Sequence, residues 1–147
     1  MAEYVSNAVQ VVQPNQAAIL SDSIPCNKGY VFHRNESGNL ILRGITPNCF
    51  ARYEVTFNGN IGIPSTGAVG AISVALAING EALPTSQAIV TPAAVTEAVP
   101  SDLNYFNVTS TAIITVPKGC CLDVTVENTS TQAINVRNAN VTVSRIA

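Results

Sequence analysis

The stretch AISVALAING, residues 71–80, alternates as a β-strand does and ends in a pair of residues typical of a tight turn. Successive side chains of a strand point to opposite faces, so the larger aliphatic residues share one face and Ser73, Ala75 and Ala77 share the other. Asn79-Gly80 is a favoured pair for a two-residue hairpin. Neither face carries a charge. Either a partner subunit covers the small-residue face, or the strand is central and is covered by its own domain.

The rest of the chain continues this pattern in short segments. β-Branched residues dominate, Pro and Gly recur at short intervals, and no long stretch repeats at the helical period. In ARYEVTFNGNI, residues 51–61, aromatic and aliphatic side chains alternate with charged and polar ones, which is typical of a strand with one buried face. We therefore predict an all-β, antiparallel sandwich of two roughly four-stranded sheets, whose last two strands form a hairpin. The other predicted strands are residues 5–12, 17–22, 29–34, 39–45, 86–95, 106–116, 120–128 and 133–147.

The composition limits the classes of function. The 147 residues fit one domain, and only 11% of them are charged, against about 25% in ordinary soluble proteins. Either much of the surface is uncharged and polar, or part of it is buried in an oligomer. The net charge of -2 gives no basic field for nucleic acid or an anionic membrane. We expect no secretion leader, because no positive segment precedes an apolar core and Glu3 stands where a leader would carry Lys or Arg. We expect no membrane span, because no apolar run approaches the roughly 20 residues that a span needs.

Four cysteines, Cys26, Cys49, Cys120 and Cys121, are spaced unlike the ligands of a zinc site, since no Cys-x-x-Cys pair is present. Free cysteine is commonly buried as a small hydrophobe, so we favour four packed thiols and keep disulfides as the alternative. The Asp-x-Asp-x-Asp spacing that is typical of a calcium-binding loop does not occur. We predict neither a metal nor a cofactor.

The sequence contains no recognisable set of catalytic residues. His33 is the one histidine, and no nucleophile elbow accompanies it, so a structural histidine is favoured and no catalytic residue is assigned. Tyr105 and Phe106, in SDLNYFNV, are candidates for contact with a protein or glycan partner, because exposed aromatic residues often mark interfaces.

The C-terminal part carries a resemblance to a known family. The segment TVPKGCCLDVTVENTSTQAINVRNANVTVSRIA, residues 115–147, and the earlier SVALAINGEAL, residues 73–83, together resemble the C1q and tumour-necrosis-factor-like jelly roll. They are most similar to its bacterial and phage branch, which includes the C-terminal heads of collagen-like spore-surface proteins. The resemblance covers residues 52–147, and residues 1–50 add further strands to a single domain spanning 1–147.

The resemblance implies a homotrimer. Ser73, Ala75, Ala77 and Ile146 would then lie in the trimer interface, and the C-terminal strand would run through the middle of a sheet near the trimer axis. It also implies a non-enzymatic structural or adhesive role on a particle surface, with a bacteriophage virion as the leading location. The partners would be other copies of the chain, other virion proteins such as the capsid, or a host-surface glycan or protein. The alternative is a binding head on a bacterial cell or spore. The absence of Gly-x-y repeats weakens any role that needs a collagen stalk.

Overall fold

Alternating apolar residues build two antiparallel β-sheets in the computed structural model, which describes residues 2–24, 29–65, 67–92 and 104–147. The all-β antiparallel sandwich predicted from the sequence is confirmed, but each sheet has six strands where about four were predicted. The strands are β1 Ala2–Ser6, β2 Gln10–Val12, β3 Asp22–Ile24, β4 Val31–His33, β5 Leu40–Arg43, β6 Phe50–Gly62, β7 Ile72–Ile78, β8 Glu81–Ala82, β9 Ala88–Val90, β10 Tyr105–Pro117, β11 Cys121–Asn128 and β12 Ile134–Arg145, with a 3₁₀ turn at Pro84–Ser86.

The strand order identifies the architecture. Sheet A runs β10-β6-β12-β1-β3, with β2 also paired to β12, and sheet B runs β4-β5-β11-β7-β8, with β9 also paired to β7. The steps from β5 to β6, β6 to β7, β10 to β11 and β11 to β12 each carry the chain from one sheet to the other. This repeated crossing between two Greek-key sheets is the jelly roll.

Local sequence explains the turns. Asn79 and Gly80 have φ of 51° and 84°, as a tight hairpin turn between β7 and β8 requires, so the predicted turn is confirmed. Glu36, also at positive φ, lies in the turn between β4 and β5. In β12 the register with β6 shifts between Arg137 and Asn140, where Asn138 has φ of 54°. This β-bulge bends the strand without ending it.

Three strand predictions need correction. The last two strands form no hairpin, because β11 belongs to sheet B and β12 to sheet A. The predicted strand 5–12 is split between β1 and β2 by exposed residues 7–9, and each part pairs separately with β12. The predicted strand 17–22 is reduced to two isolated bridges, from Ala17 to Glu127 and from Leu20 to Ser37, and only its last residue, Asp22, belongs to a strand, β3.

The core fills the space between the inner faces of the sheets. Its largest fully buried side chains include Tyr53, Phe57 and Leu76, and Tyr53 Oη donates a hydrogen bond to the Arg43 carbonyl oxygen at 2.5 Å. Each buried Leu, Ile or Phe side chain contributes about 1.5 to 3 kcal/mol to the free energy of folding. Because the inner faces are buried against each other, a partner would have to bind the outer faces or the edges of the sheets.

Candidate interaction surface

The small side chains of β7 are buried within their own chain. Ser73, Ala75 and Ala77 are 6%, 1% and 0% exposed, and β7 lies inside sheet B, with β11 on one side and β8 and β9 on the other. The structure thus favours the alternative of a central strand covered by its own domain. These three residues leave almost no surface to a partner subunit, so an interface must be sought elsewhere.

Hydrogen bonds close the end of this small-residue face. Ser73 Oγ lies 2.6 Å from Thr129 Oγ1, and Gln87 Nε2 donates to Ser73 Oγ at 3.2 Å. The Ser73 backbone N–H donates to Ser130 Oγ at 2.8 Å. The polar groups here are therefore paired within the chain.

A carboxylate lies on the same face. Glu127 pairs directly with Ala75 across β11 and β7 and is only 9% exposed. Burial raises the pKa of the Glu127 carboxyl, because desolvation disfavours its charged form. Around β7, the outer side of sheet B is thus buried and consists of small side chains beside one desolvated acid.

The outer side of sheet A differs, because it is open and carries a block of uncharged polar residues, bordered on β1 by Glu3, which pairs with Thr142 and accepts a hydrogen bond from Asn140 Nδ2. Two rows of directly paired residues cross three neighbouring strands, and all six side chains are exposed or half-buried. We call these residues the Asn/Thr face; they are Thr111, Thr56 and Thr142 in one row and Thr109, Asn58 and Asn140 in the other.

Side-chain hydrogen bonds hold this face together. Thr56 Oγ1 lies 3.2 Å from Thr111 Oγ1 on β10. Asn107 Nδ2 donates to Asn58 Oδ1 at 2.9 Å and to Asn60 Oδ1 at 3.2 Å. Such cross-strand pairs reduce the freedom of the side chains before any partner binds. The sequence signal for this face was a run of uncharged polar residues at alternate positions within each strand: 56, 58 and 60 in β6, 107, 109 and 111 in β10, and 140, 142 and 144 in β12.

Charged and apolar residues lie around the Asn/Thr face. On β6, Arg52 and Glu54 precede Thr56, towards the start of the strand. On β12, Arg137 precedes Asn140 and pairs with Asn60 of β6. Ile146, from the predicted interface, is 49% exposed and donates its backbone N–H to the Arg52 carbonyl oxygen at 2.9 Å. It therefore lies beside β6, at the edge of the Asn/Thr face, and is accessible to a partner.

The predicted aromatic contact residues begin β10. Phe106 is 43% exposed, while Tyr105 is half-buried with the Arg137 guanidinium 6.0 Å from its ring centroid. Alternation places these two side chains on opposite sides of the strand. Phe106 is therefore the more accessible of the two, and a partner contact through either stays a prediction.

His33 is held by its own part of the fold. Its Nδ1 lies 3.1 Å from Ser23 Oγ and its Nε2 lies 2.8 Å from the Ser37 carbonyl oxygen. Its ring centroid lies 4.8 Å from that of Tyr4. These contacts fix the turn between β4 and β5 against β1 and β3, which is a structural role.

The described cysteines are more exposed than the sequence predicted. Cys49, Cys120 and Cys121 are free and exposed, so they are not the packed thiols that were predicted. They precede or begin strands at one end of the sandwich, where the core has ended. Cys26 lies outside the described residues.

Across the described ranges, no three His, Cys, Asp or Glu side chains are grouped so as to hold a metal ion. No helix in that part of the chain is long and apolar enough to cross a membrane.

Comparison with known proteins identifies the fold. No family model and no curated protein matches the chain. Among solved structures, the globular domain of zebrafish complement 1qA protein is similar at a TM-score of 0.60, with 13% identity, covering 99% of this chain and 96% of that one. The PRD1 vertex protein P5 is similar at a TM-score of 0.41, with 11% identity over 99% and 96% of the two chains, too weak a likeness to support an argument. At such identities the first likeness shows the fold alone, a C1q-like jelly roll.

Proposed function

We propose that this protein is a non-enzymatic structural or adhesive head that assembles as a homotrimer on the surface of a particle. The particle we propose is a bacteriophage virion, where the trimer would serve as a capsid decoration, a head fibre or a tail-associated piece. The observation that carries the trimer is the Asn/Thr face, which is open and whose six residues are all uncharged. The resemblance of residues 52–147 to phage-type heads supports the location.

The chemistry of the Asn/Thr face suits a contact between copies. Interface centres are depleted of charged residues, because burying an uncharged hydroxyl or amide that finds a hydrogen bond costs far less than burying a charge. Neighbouring copies would present the same donors and acceptors to one another. Charged residues lie around the face, where a polar rim is expected: Arg52, Glu54 and Arg137 towards its ends, and Glu3 beside Thr142 on the neighbouring strand β1.

The position of the C-terminal strand agrees with this arrangement. β12 lies between β6 and β1 in sheet A, and it supplies Asn140 and Thr142 to the Asn/Thr face. Ile146 follows it and adds apolar surface at the edge. The contact would therefore be centred on β6 and β12, and the resemblance implies that the C-terminal strand, β12, runs near the trimer axis.

Light scattering during gel filtration tests the trimer. Wild-type protein at micromolar concentration should have three times the mass of the chain, and Asn58→Arg should give a folded monomer. Asn58 is exposed in the single chain, so the arginine would meet open solvent once the copies separate. Thr131→Arg, in the exposed turn after β11, is the matched control and should remain a trimer. A monomeric wild-type protein would exclude the trimer.

Antibody labelling in electron microscopy tests the location. Gold on purified phage particles is the expected result. Label on intact bacterial cells or spores, with none on particles, would replace the virion with a surface-attached binding head.

A further inference from the structure

The end of the sandwich where β10 turns into β11 brings the two sheets together. The four residues Pro117–Cys120 form the turn, with the Cys120 N–H donating to the Pro117 carbonyl oxygen at 3.0 Å and Gly119 at φ of 77°. Pro117 still pairs with Phe50 in sheet A, and Cys121 already pairs with Arg43 in sheet B. The crossing from one sheet to the other is therefore completed within three residues.

The loop from β5 to β6 is fastened to this turn at both of its ends. At its start, the Gly44 N–H donates to the Cys120 carbonyl oxygen at 2.8 Å. At its end, the Lys118 N–H donates to the Cys49 carbonyl oxygen at 3.0 Å. The approach is so close that a Cβ on Gly44 would lie 2.1 Å from the Pro117 carbonyl oxygen. Cys49 and Cys120 thus belong to two segments in direct backbone contact.

The three thiols occupy different places in this corner. Cys49 lies in the bend directly before β6 of sheet A, and Cys120 lies in the turn directly before β11 of sheet B. Both thiols are exposed, in the two segments that the backbone hydrogen bonds hold together. Cys121 is within β11, paired with Arg43. Cys49 and Cys120 are therefore the pair that these backbone contacts bring together.

Cationic residues lie near this corner. Lys118 is in the turn itself, and Arg43 pairs with Cys121. Arg145 Nη1 donates to the carbonyl oxygen of Ile45, in the loop, at 2.6 Å. Local positive charge raises the concentration of anionic reagents, and oxidised glutathione is an anionic disulfide.

We propose that Cys49 and Cys120 are an oxidation site that closes to a disulfide between the two sheets by exchange with a small anionic disulfide such as oxidised glutathione. The thiolate of one cysteine attacks the glutathione disulfide, forming a mixed disulfide and releasing one reduced glutathione. The second thiolate attacks the protein sulfur of that mixed disulfide, which forms the Cys49–Cys120 bond and releases the second glutathione. Two protein thiols are oxidised and one glutathione disulfide is reduced to two thiols. The site requires no trimer, so it stands apart from the proposed function.

Intact-mass analysis with peptide mapping tests the site in the full-length protein. After incubation with oxidised glutathione, the wild type should lose two hydrogen atoms and yield a peptide that links Cys49 to Cys120. Cys49→Ser and Cys120→Ser should instead retain a glutathione adduct on the remaining cysteine of the pair, because nothing displaces it. Cys121→Ser and Cys26→Ser are controls that should close the same bond.

The closed form should also melt at a higher temperature, by about 5 to 10 °C, because the link restricts the unfolded chain. Reductant should reverse this rise, and Cys49→Ser should not show it. A persistent glutathione adduct on the wild type, a link that includes Cys121 or Cys26, or a link between two chains would each overturn the proposal.

Discussion

At the scale of single residues, the acid Glu127 shows how burial and charge oppose each other. Sheet B surrounds it with small side chains, and burial raises the pKa of its carboxyl. An acid whose pKa is higher in the folded state than in the unfolded state binds more protons when folded. Its contribution to stability is therefore present in full below the unfolded pKa and is lost as the pH rises through the folded pKa.

The raised pKa of Glu127 predicts how Glu127→Gln should change stability at two pH values. At pH 7 the variant should melt at a higher temperature than the wild type, since the amide has no charge to desolvate. At pH 4, below the ordinary value of 4.5, the two proteins should differ much less. Calorimetry at both values measures the difference. An equal difference at pH 4 and pH 7 would show that the carboxylate charge has no part in it.

At the scale of elements, β7 is the strand for which the environment expected from the sequence and the observed environment differ most. Replacing Ala75 by Glu would place a second carboxylate directly opposite Glu127 in a closed face. Like charges in directly paired positions repel, and a buried unpaired charge costs about 3 to 5 kcal/mol. We expect Ala75→Glu to unfold the chain, or nearly so, by circular dichroism. Ala75→Gln has nearly the same size without the charge and should retain more stability; equal loss in both variants would assign the effect to volume.

A second element, β12, supports sheet A from its middle. Deleting residues 143–147 removes Val143, which is 2% exposed and paired with both Ala2 and Val55, and ends the pairing of β12 with Tyr53. Unpaired buried backbone groups cost about 1 to 3 kcal/mol each, against a total stability of about 5 to 15 kcal/mol. We expect no cooperative thermal transition. Deleting Ala147 alone should be tolerated, and a truncated protein that still melts cooperatively would show that the strand end is dispensable.

The sequence predicted the strands themselves better than it predicted which sheet each strand joins and what covers it. Alternation in β6, β10, β11 and β12 and the Asn79-Gly80 turn were enough to predict long antiparallel strands, because these signals are local. The sheet crossing between β11 and β12 was missed, because an Asn-Thr-Ser turn serves a hairpin and a crossing equally well. The burial of Ala75 and Ala77 was left open, because small residues suit both a covered strand and a subunit contact. The exposed thiols were missed, because the turn that ends the core has no signal of its own.

At the scale of the whole molecule, the proposed trimer makes stability depend on concentration. A folded trimer that unfolds to three chains gains about 0.9 kcal/mol per subunit for each tenfold rise in concentration, two thirds of the 1.4 kcal/mol that a tenfold change represents. For a chain of this size, the melting temperature should then rise by about 2 to 4 °C per tenfold. Asn58→Arg should remove this dependence, because a monomer unfolds at a temperature that concentration does not shift, whereas Thr131→Arg should preserve it. Calorimetry over a roughly hundredfold range of concentration measures the slope. A wild-type melting temperature that stays constant over that range, with reversible unfolding, would mean that the Asn/Thr face is a solvated surface and that the jelly roll is stable as a single chain.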